Sequence, residues 1–413
     1  MNDYDIAIIG GGLVGASLAV ALAGTPLRVA LVEAAAPPAS LPAWDERCIA
    51  LNDASRRIFG SYGLWNALAA EAAPIAATHI SERGRFGTAR FSAAEAGLEA
   101  LGYNVPLRAI GAVLLARMNA VPRLDLLQPA RLVALRPGEQ TVELEVESAG
   151  TVRTLRACLV AAADGARSAV RELLGITAAR RDYAQHAIVS AVRLSRPHLG
   201  VAYERFTPDG PIALIPKPDD AASLVWTTPD ACIESRLALD DAAYLAQAQD
   251  CFGGRLGRFT ALGRRWSYPL SRVLSETLNA PRTVFVGNAA QSLHPVAAQG
   301  FNLGLRDVAT LAEMVGGVAD PGAAELLADY ARRRKHDRGR VSGLTDLMVR
   351  AFSNRLPLLS QARHWGLVAI ELAGPLRQTV LRQHLGHLGL PRSAVPSSLG
   401  EEGQAGASDV RDS

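Results

Sequence analysis

Lysine is almost missing from this chain: of 43 basic residues only Lys217 and Lys335 are lysines, and the others are arginine. Against 40 acidic residues the net charge is +3, too even a balance for the basic face that nucleic acid requires, so no nucleic-acid partner is expected. The arginine bias, alongside abundant alanine, reads as the mark of a GC-rich genome. Cysteine is equally scarce. Cys48, Cys158, Cys232 and Cys251 lie far apart and form no CxxC pair, which excludes a disulfide framework or a thiolate metal site and points to a reducing compartment. No metal is expected. No apolar run reaches the roughly 20 residues of a membrane span, because charges or prolines interrupt each candidate. The N-terminus opens as a strand, without the basic segment or cleavage site of a secretory leader. A cytoplasmic protein is expected, with peripheral attachment at the inner face of a membrane left open. Internal repeats are absent as well. What is present, 413 residues of which 49% are hydrophobic, suffices for the buried cores of a two- or three-domain enzyme.

The chain is organised around residues 284–307. Thr283 to Val286 reads as a buried strand, Gly287-Asn288 as a turn, and a polar loop containing His294-Pro295 leads to a helix that starts just after Gln299-Gly300. Phe301, Leu305, Val308, Leu311, Ala312 and Val315 recur at helical spacing, so one face of that helix is buried. Its N-terminus offers unpaired amides and a partial positive charge, and Gly300 lets a planar ligand approach the backbone. This is an anion site.

The N-terminus supplies a second phosphate signal. Asp5 to Ile9 is a strand, Gly10-Gly11-Gly12-Leu13-Val14-Gly15 a glycine turn, and an alanine-rich helix to about Ala23 leads to a strand, Leu27 to Val32, that ends at Glu33. That is the dinucleotide fingerprint within a complete βαβ unit. Gly10 makes the tight turn, Gly12 lets a pyrophosphate reach the helix, Gly15 lets helix and strand touch, and Glu33 can accept from ribose hydroxyls. The motif does not separate FAD from NAD, although the acid argues against a 2'-phosphate. No second fingerprint exists: Gly253 to Gly257 lacks a preceding strand and a following acid.

Taken together these segments resemble the class A FAD-dependent aromatic hydroxylases, the para-hydroxybenzoate hydroxylase-like family. The fingerprint is one signature. Asp164-Gly165, delivered by the apolar strand from Leu159 and followed by Ser168 and Arg171, is similar to a further one, and Gly287-Asn288 through Asn302 to the second flavin motif. Asn288 stands where most members carry aspartate, a departure shared by the ubiquinone-biosynthesis branch. Asp45 to Leu51 is similar to the family's DxRxxAL segment. The resemblance implies FAD held by Gly10, Gly12, Gly15, Glu33, Arg47, Arg108, Asp164, Gly165, Gly287, Asn288, Pro295, Gln299, Gly300, Phe301 and Asn302. It also implies NAD(P)H as a transient reductant, O2 as co-substrate and oxygen transfer from a flavin C4a-hydroperoxide. No side chain stands out as a catalytic base; His294 and Pro295 are the candidates at the loop.

From Ile188 to Trp266 the pattern turns to strands separated by Asp209-Gly210 and Asp219-Asp220, which cannot extend a parallel sheet. Tyr203 to Pro216, with Ser223 to Trp226, resembles the ubiquinone branch that acts on 2-polyprenyl-6-methoxyphenol. Phe206, Leu214 and Trp226 are read as core first and as lining for a prenylated phenol second. The expected fold is α/β: a Rossmann-like FAD-binding domain (1–75, 104–182, 268–340), an inserted antiparallel β-sheet substrate domain (76–103, 183–267), C-terminal helices (341–395) and a disordered tail (396–413). Tyr330 to Arg340 is a basic helix, either a solvated face or a contact for anionic lipid head groups. Association with other ubiquinone-biosynthesis proteins and homo-oligomerisation stay open. A flavin halogenase is disfavoured, since no tryptophan has another two residues away. A prenyl reductase or a non-catalytic flavin scaffold would share the architecture.

Overall fold

Two large sheets and a smaller one, with helices packed against them, make up the computed structural model, which describes residues 3–36, 47–293, 299–352 and 373–388. The first sheet has a parallel centre ordered Thr283–Phe285, Thr151–Ala162, Tyr4–Ile9, Val29–Val32, Leu124–Leu127. Its strands are apolar without alternation because both faces are covered. Ile6, Ile8, Leu159, Ala161 and Val284 pack under the helices Leu13–Ala21, Leu107–Met118 and Gln299–Val315. The residues between them, Ala7, Ile9, Val160, Ala162 and Phe285, meet the antiparallel hairpin Arg131–Pro137 and Val142–Ser148 on the other side. This is the expected nucleotide-binding layer.

The second sheet has nine strands, the longest being Ala178–Leu194, which pairs antiparallel with Ala221–Pro229 and Trp266–Ser275. One pairing is parallel: Val201–Thr207 runs alongside Ala77–Glu82 and so ties the hairpin from the first quarter of the chain to the later strands. Two points differ from the sequence reading. Helices Asp230–Leu237 and Asp241–Phe252 interrupt the run of strands. The second is set by Asp240, whose carboxylate accepts from the Ala243 amide at 2.7 Å, and by Tyr244, Ala248 and Phe252 buried at four-residue spacing. Strand alternation on either side masked that period. Trp266–Ser275 also stays in the second sheet, past the expected end of that span at 267. A small third sheet, Cys48–Asn52, Gly102–Pro106 and Ala73–Ile75, stands between the other two.

The basic helix lies within Ala324–Phe352, and its inward face is not solvated. Tyr330 is fully buried and donates to the Phe285 carbonyl at 3.1 Å. Arg334 and Asp337, each 3% exposed, join Arg306 and Asp307 in a buried ionic cluster. Arg338 donates to the Ser275 carbonyl. The reading as a solvated face is therefore corrected for the inward residues: those arginines hold the fold together, while the outward Arg332 and Arg333 pair with Asp329. The final helix, Gly374–Leu385, inserts Leu381 and Leu385 beside Phe91 and Leu101. His387 Nε2 meets Asp53 Oδ2 at 2.8 Å. Burial opposes charge on Asp53, yet the hydrogen bonds with His387 and Arg57 hold it below the usual carboxylate range. Residues 353–372 and the expected tail 396–413 lie outside the described residues. Among the described residues no helix is long and apolar enough to cross a membrane.

Candidate active site

The fingerprint turn is built by contacts that only glycine permits. Gly10 has φ +102°, and a Cβ there would stand 2.6 Å from the Ala163 carbonyl oxygen; one on Gly15 would stand 1.9 Å from the Gly10 carbonyl oxygen. Gly12 caps the helix Leu13–Ala21 with open space before it, no side-chain cap and no acid in the first turn, so the first amides face outward for an anion. Glu33 leaves the Val29–Val32 strand and accepts from the Gly11 amide at 2.5 Å and the Ala35 amide at 2.7 Å. Each of its oxygens retains a lone pair for a hydroxyl. Asp164 follows the neighbouring strand, with Gly165 at φ +84°. Oδ2 of Asp164 accepts from the Val170 amide at 3.0 Å, whereas its Oδ1 is buried without a hydrogen-bond partner among the described residues. An orphaned acceptor beside a glycine cradle and an open helix start fits a polyhydroxylated dinucleotide such as FAD.

The second flavin segment is locked to the first. Gly287, at φ +57°, would place a Cβ 2.9 Å from Val14, so the turn seats directly on the fingerprint helix. Its amide donates to Asp307 Oδ2 at 3.0 Å, and Gln291 Nε2 donates to the same oxygen at 2.7 Å. Asn288 is exposed on this turn. The helix begins at Gln299, carries no acid in its first turn and has open space at Gly300. Phe301 packs against Phe59, ring centroids 6.2 Å apart. Asn302 has a structural duty: its Oδ1 accepts from the Asn52 amide at 3.0 Å and its Nδ2 donates to the Ala50 carbonyl at 2.9 Å. His294 and Pro295 lie outside the described residues. Arg47 stacks 4.7 Å from the Trp266 ring and donates to the Tyr268 hydroxyl. Arg108 pairs with Glu71 and is not part of the cavity wall.

Between the helix start and the second sheet lies a cavity of about 450 Å³. Asn288, Ser292, Leu293, Gln299, Gly300, Phe301 and Asn302 form its floor, and Ala187, Val189, Ala213, Ile215, Val225 and Thr227 its opposite wall. Leu214 and Trp226 do not line it. They belong to the core on the far face of the sheet, with Tyr244 and Phe252. Side chains alternate along a strand, so their neighbours Ala213, Ile215, Val225 and Thr227 are the ones that face the cavity. Phe206 shares the parity of Ala202 and Glu204 but is buried beyond the cavity. Leu214, Trp226 and Phe206 are thus core residues, their first reading, and the residues next to Leu214 and Trp226 along their strands take the cavity side.

The two faces respond differently to substitution. Ala213→Trp is expected to fill the cavity and weaken substrate binding by about tenfold or more while FAD stays bound. Trp226→Ala, which removes a ring 5.3 Å from Tyr244 and 4.0 Å from the Arg236 guanidinium, should cost about 3–5 kcal/mol of stability. Substrate titration and thermal melting of the two variants read the contrast directly.

A model of the FAD binding domain family matches residues 3–341. The chain is 39% identical over 391 residues to the ubiquinone hydroxylase UbiL of Rhodospirillum rubrum, covering 94% of this chain and 90% of that protein. It is 35% identical over 392 residues to the 3-demethoxyubiquinol 3-hydroxylase of Escherichia coli, with 92% and 98% covered. Among solved structures, p-nitrophenol 4-monooxygenase PnpA from Pseudomonas putida superposes with a TM-score of 0.76 at 16% identity, covering 93% and 99% of the two chains. PqsL of P. aeruginosa does so with 0.72 at 21%, covering 88% and 99%; at these identities the likeness is one of fold. The chain belongs to the FAD-binding domain family and is an FAD-dependent monooxygenase of the aromatic-hydroxylase class. Within that class it is a member of the ubiquinone-biosynthesis branch, as its motifs imply.

Proposed function

We propose that this chain hydroxylates the ring of a polyprenylated phenol on the way to ubiquinone, with 2-polyprenyl-6-methoxyphenol as substrate and with O2 and a reduced nicotinamide as co-substrates. The supporting observation is the cavity: an apolar wall from the second sheet facing the amide-rich start of the Gln299–Val315 helix. An aromatic ring with an alkyl tail suits such a wall, and a planar cofactor suits such a floor. The Escherichia coli relative's name sets its reaction at another ring position of the same pathway, and that is the second reading.

Bound FAD would supply the redox chemistry and the activation of O2. The glycine turn at Gly10 to Gly15, Glu33 and Asp164 would hold its dinucleotide portion. The start of the Gln299–Val315 helix would stabilise negative charge on the reduced ring. Val189, Ile215, Val225 and Leu270 would exclude water from the reacting edge. Purified protein should be yellow, and a prenylated methoxyphenol should speed NAD(P)H oxidation with equal consumption of O2 and formation of hydroxylated product. A product saturated in its prenyl chain, with no O2 consumed, would replace this reading by that of a reductase. Mass spectrometry of the quinone precursors that accumulate when the gene is removed assigns the ring carbon.

A further inference from the structure

Glu204 stands on the cavity face of the second sheet, opposite Ala213 in the register of its strand. It also borders a smaller cavity of about 70 Å³, walled by Ile80, Phe91, Val341, Leu344 and Val380. Thr78, Gln299 and His384 share that junction. A carboxylate among apolar groups needs a hydrogen bond or a counter-charge. Glu204 has neither among the described residues. The other titratable side chains lining the two cavities are Cys48, Tyr203, Tyr268 and His384. Burial lowers the imidazole of His384, which therefore brings no positive charge to the site. Arg205, the next residue along the strand, points to the opposite face, where Arg83 and Arg255 lie near it. Burial accordingly pushes Glu204 from an ordinary 4.5 up to about 7.

An isolated carboxyl facing an apolar cavity gains a partner only when a ligand brings one. The ligand must be mostly apolar and carry a single neutral donor, and a phenol is such a molecule. We propose that Glu204 receives the phenolic hydroxyl of the substrate and takes up its proton as the ring is oxygenated. This rests on the phenol reading above and goes beyond it by naming the base. The phenolic O–H bond breaks and an O–H bond forms on the carboxylate. The freed electron pair enters the ring and makes the carbon to be oxygenated electron-rich. Dioxygen supplies the oxygen and the reduced nicotinamide the two electrons: the O–O bond breaks, one atom joins the ring carbon as a hydroxyl and the other leaves, with a proton from solvent, as water. The attacked carbon then loses its hydrogen as a proton to water, and Glu204 returns its own proton to the original oxygen. A base that titrates near the working pH suits this exchange.

The same burial has a cost. The folded carboxyl holds its proton more tightly than the unfolded one, so stability falls as pH rises from 4.5 through about 7. Glu204→Gln should therefore fold at least as well as the natural protein in mildly alkaline buffer, and a thermal melt checks this.

The test uses FAD-loaded protein and two probes: 2-methoxyphenol bearing one short isoprenyl chain, and its methyl ether. Binding is followed by fluorescence across mildly acidic to mildly alkaline buffers. The phenol should bind about tenfold more tightly on the alkaline side of pH 7 than on the acid side, as a hydrogen bond to a charged acceptor gives. The ether should show no such step, and Glu204→Gln should abolish it for the phenol. The acid limb of the kcat/KM profile should vanish in the same variant. A step that survives in Glu204→Gln, or an ether that binds as tightly as the phenol, overturns the role of Glu204 and leaves the hydroxylase reading standing. Natural protein that holds FAD but binds neither probe overturns the phenol reading, and with it this role.

Discussion

Gly15→Val is expected to give a folded protein that emerges from purification without colour. A steric clash causes the loss. A Cβ at this position lies 1.9 Å from the Gly10 carbonyl oxygen and 3.3 Å from Ala163, distances at which no side chain can be accommodated by a rotamer change. The helix Leu13–Ala21 must back away from the strand Tyr4–Ile9, and its amides leave the position at which the fingerprint turn presents them. Since Gly12 is the cap of that helix and faces open space, the displaced amides would no longer converge on a pyrophosphate. FAD affinity should fall by at least a hundredfold, the equivalent of about 3 kcal/mol, read by flavin absorbance and by titration of the apoprotein. Gly12→Ala is the control. Nothing lies within 4 Å of its Cβ position, so any loss there reports closeness of the cofactor and not damage to the fold. Retention of a full complement of flavin by Gly15→Val would refute the assignment of this turn.

The second large effect is expected at Asp307. One of its oxygens accepts from the Gly287 amide and Gln291 Nε2, and the other from Arg334 Nε at 2.6 Å. Arg334 in turn meets Asp337 at 2.8 Å, which meets Arg306 at 2.8 Å. All four side chains are nearly inaccessible, at 1–3% exposure. Two cations and two anions balance, and burial of the group is tolerable only while that balance holds. Asp307→Asn keeps the shape and removes one charge, which leaves the cluster with a net positive charge in the interior. The expected loss is about 3–5 kcal/mol, a fall in Tm on the order of 10 °C. The flavin should also bind less tightly, because the Gly287 turn loses its anchor. Arg332→Ala, on the exposed side of the same long helix with its side chain 74% accessible, should change stability by less than about 0.5 kcal/mol. Equal melting curves for the two variants would show that the cluster contributes nothing.

Asp307 and Arg306 show why part of the site was hidden in the sequence. Both stand in the helical pattern that begins at Phe301, and nothing in that pattern tells an inward charge from an outward one. Tyr330 to Arg340 posed the same problem from the other side: a run of arginines reads as solvated until the residues opposite it are known. Its inward members answer Asp307 and Asp337, the first of them 27 residues away in the chain from Arg334. The helix Asp241–Phe252 is hidden for a related reason: its four-residue period rests on three residues, Tyr244, Ala248 and Phe252, set between alternating strands. The fingerprint was legible because every part of it is local. Gly10, Gly12, Gly15 and Glu33 fall within one βαβ unit, and the spacing of the glycines is itself the geometry.

Local sequence determined the strand, turn and helix of each flavin segment, the places where only glycine fits, and the switch from buried parallel strands to an alternating sheet. These are short-range consequences of backbone sterics and of where apolar side chains recur. Tertiary structure alone decided which face of the second sheet meets the cofactor side, and hence that Ala213 and Val225 line the cavity while Leu214 and Trp226 do not. It also decided that Glu204 is left without a partner among the described residues. A one-residue step along a strand reverses the direction of a side chain, and only the docking of the other layers says which direction is inward.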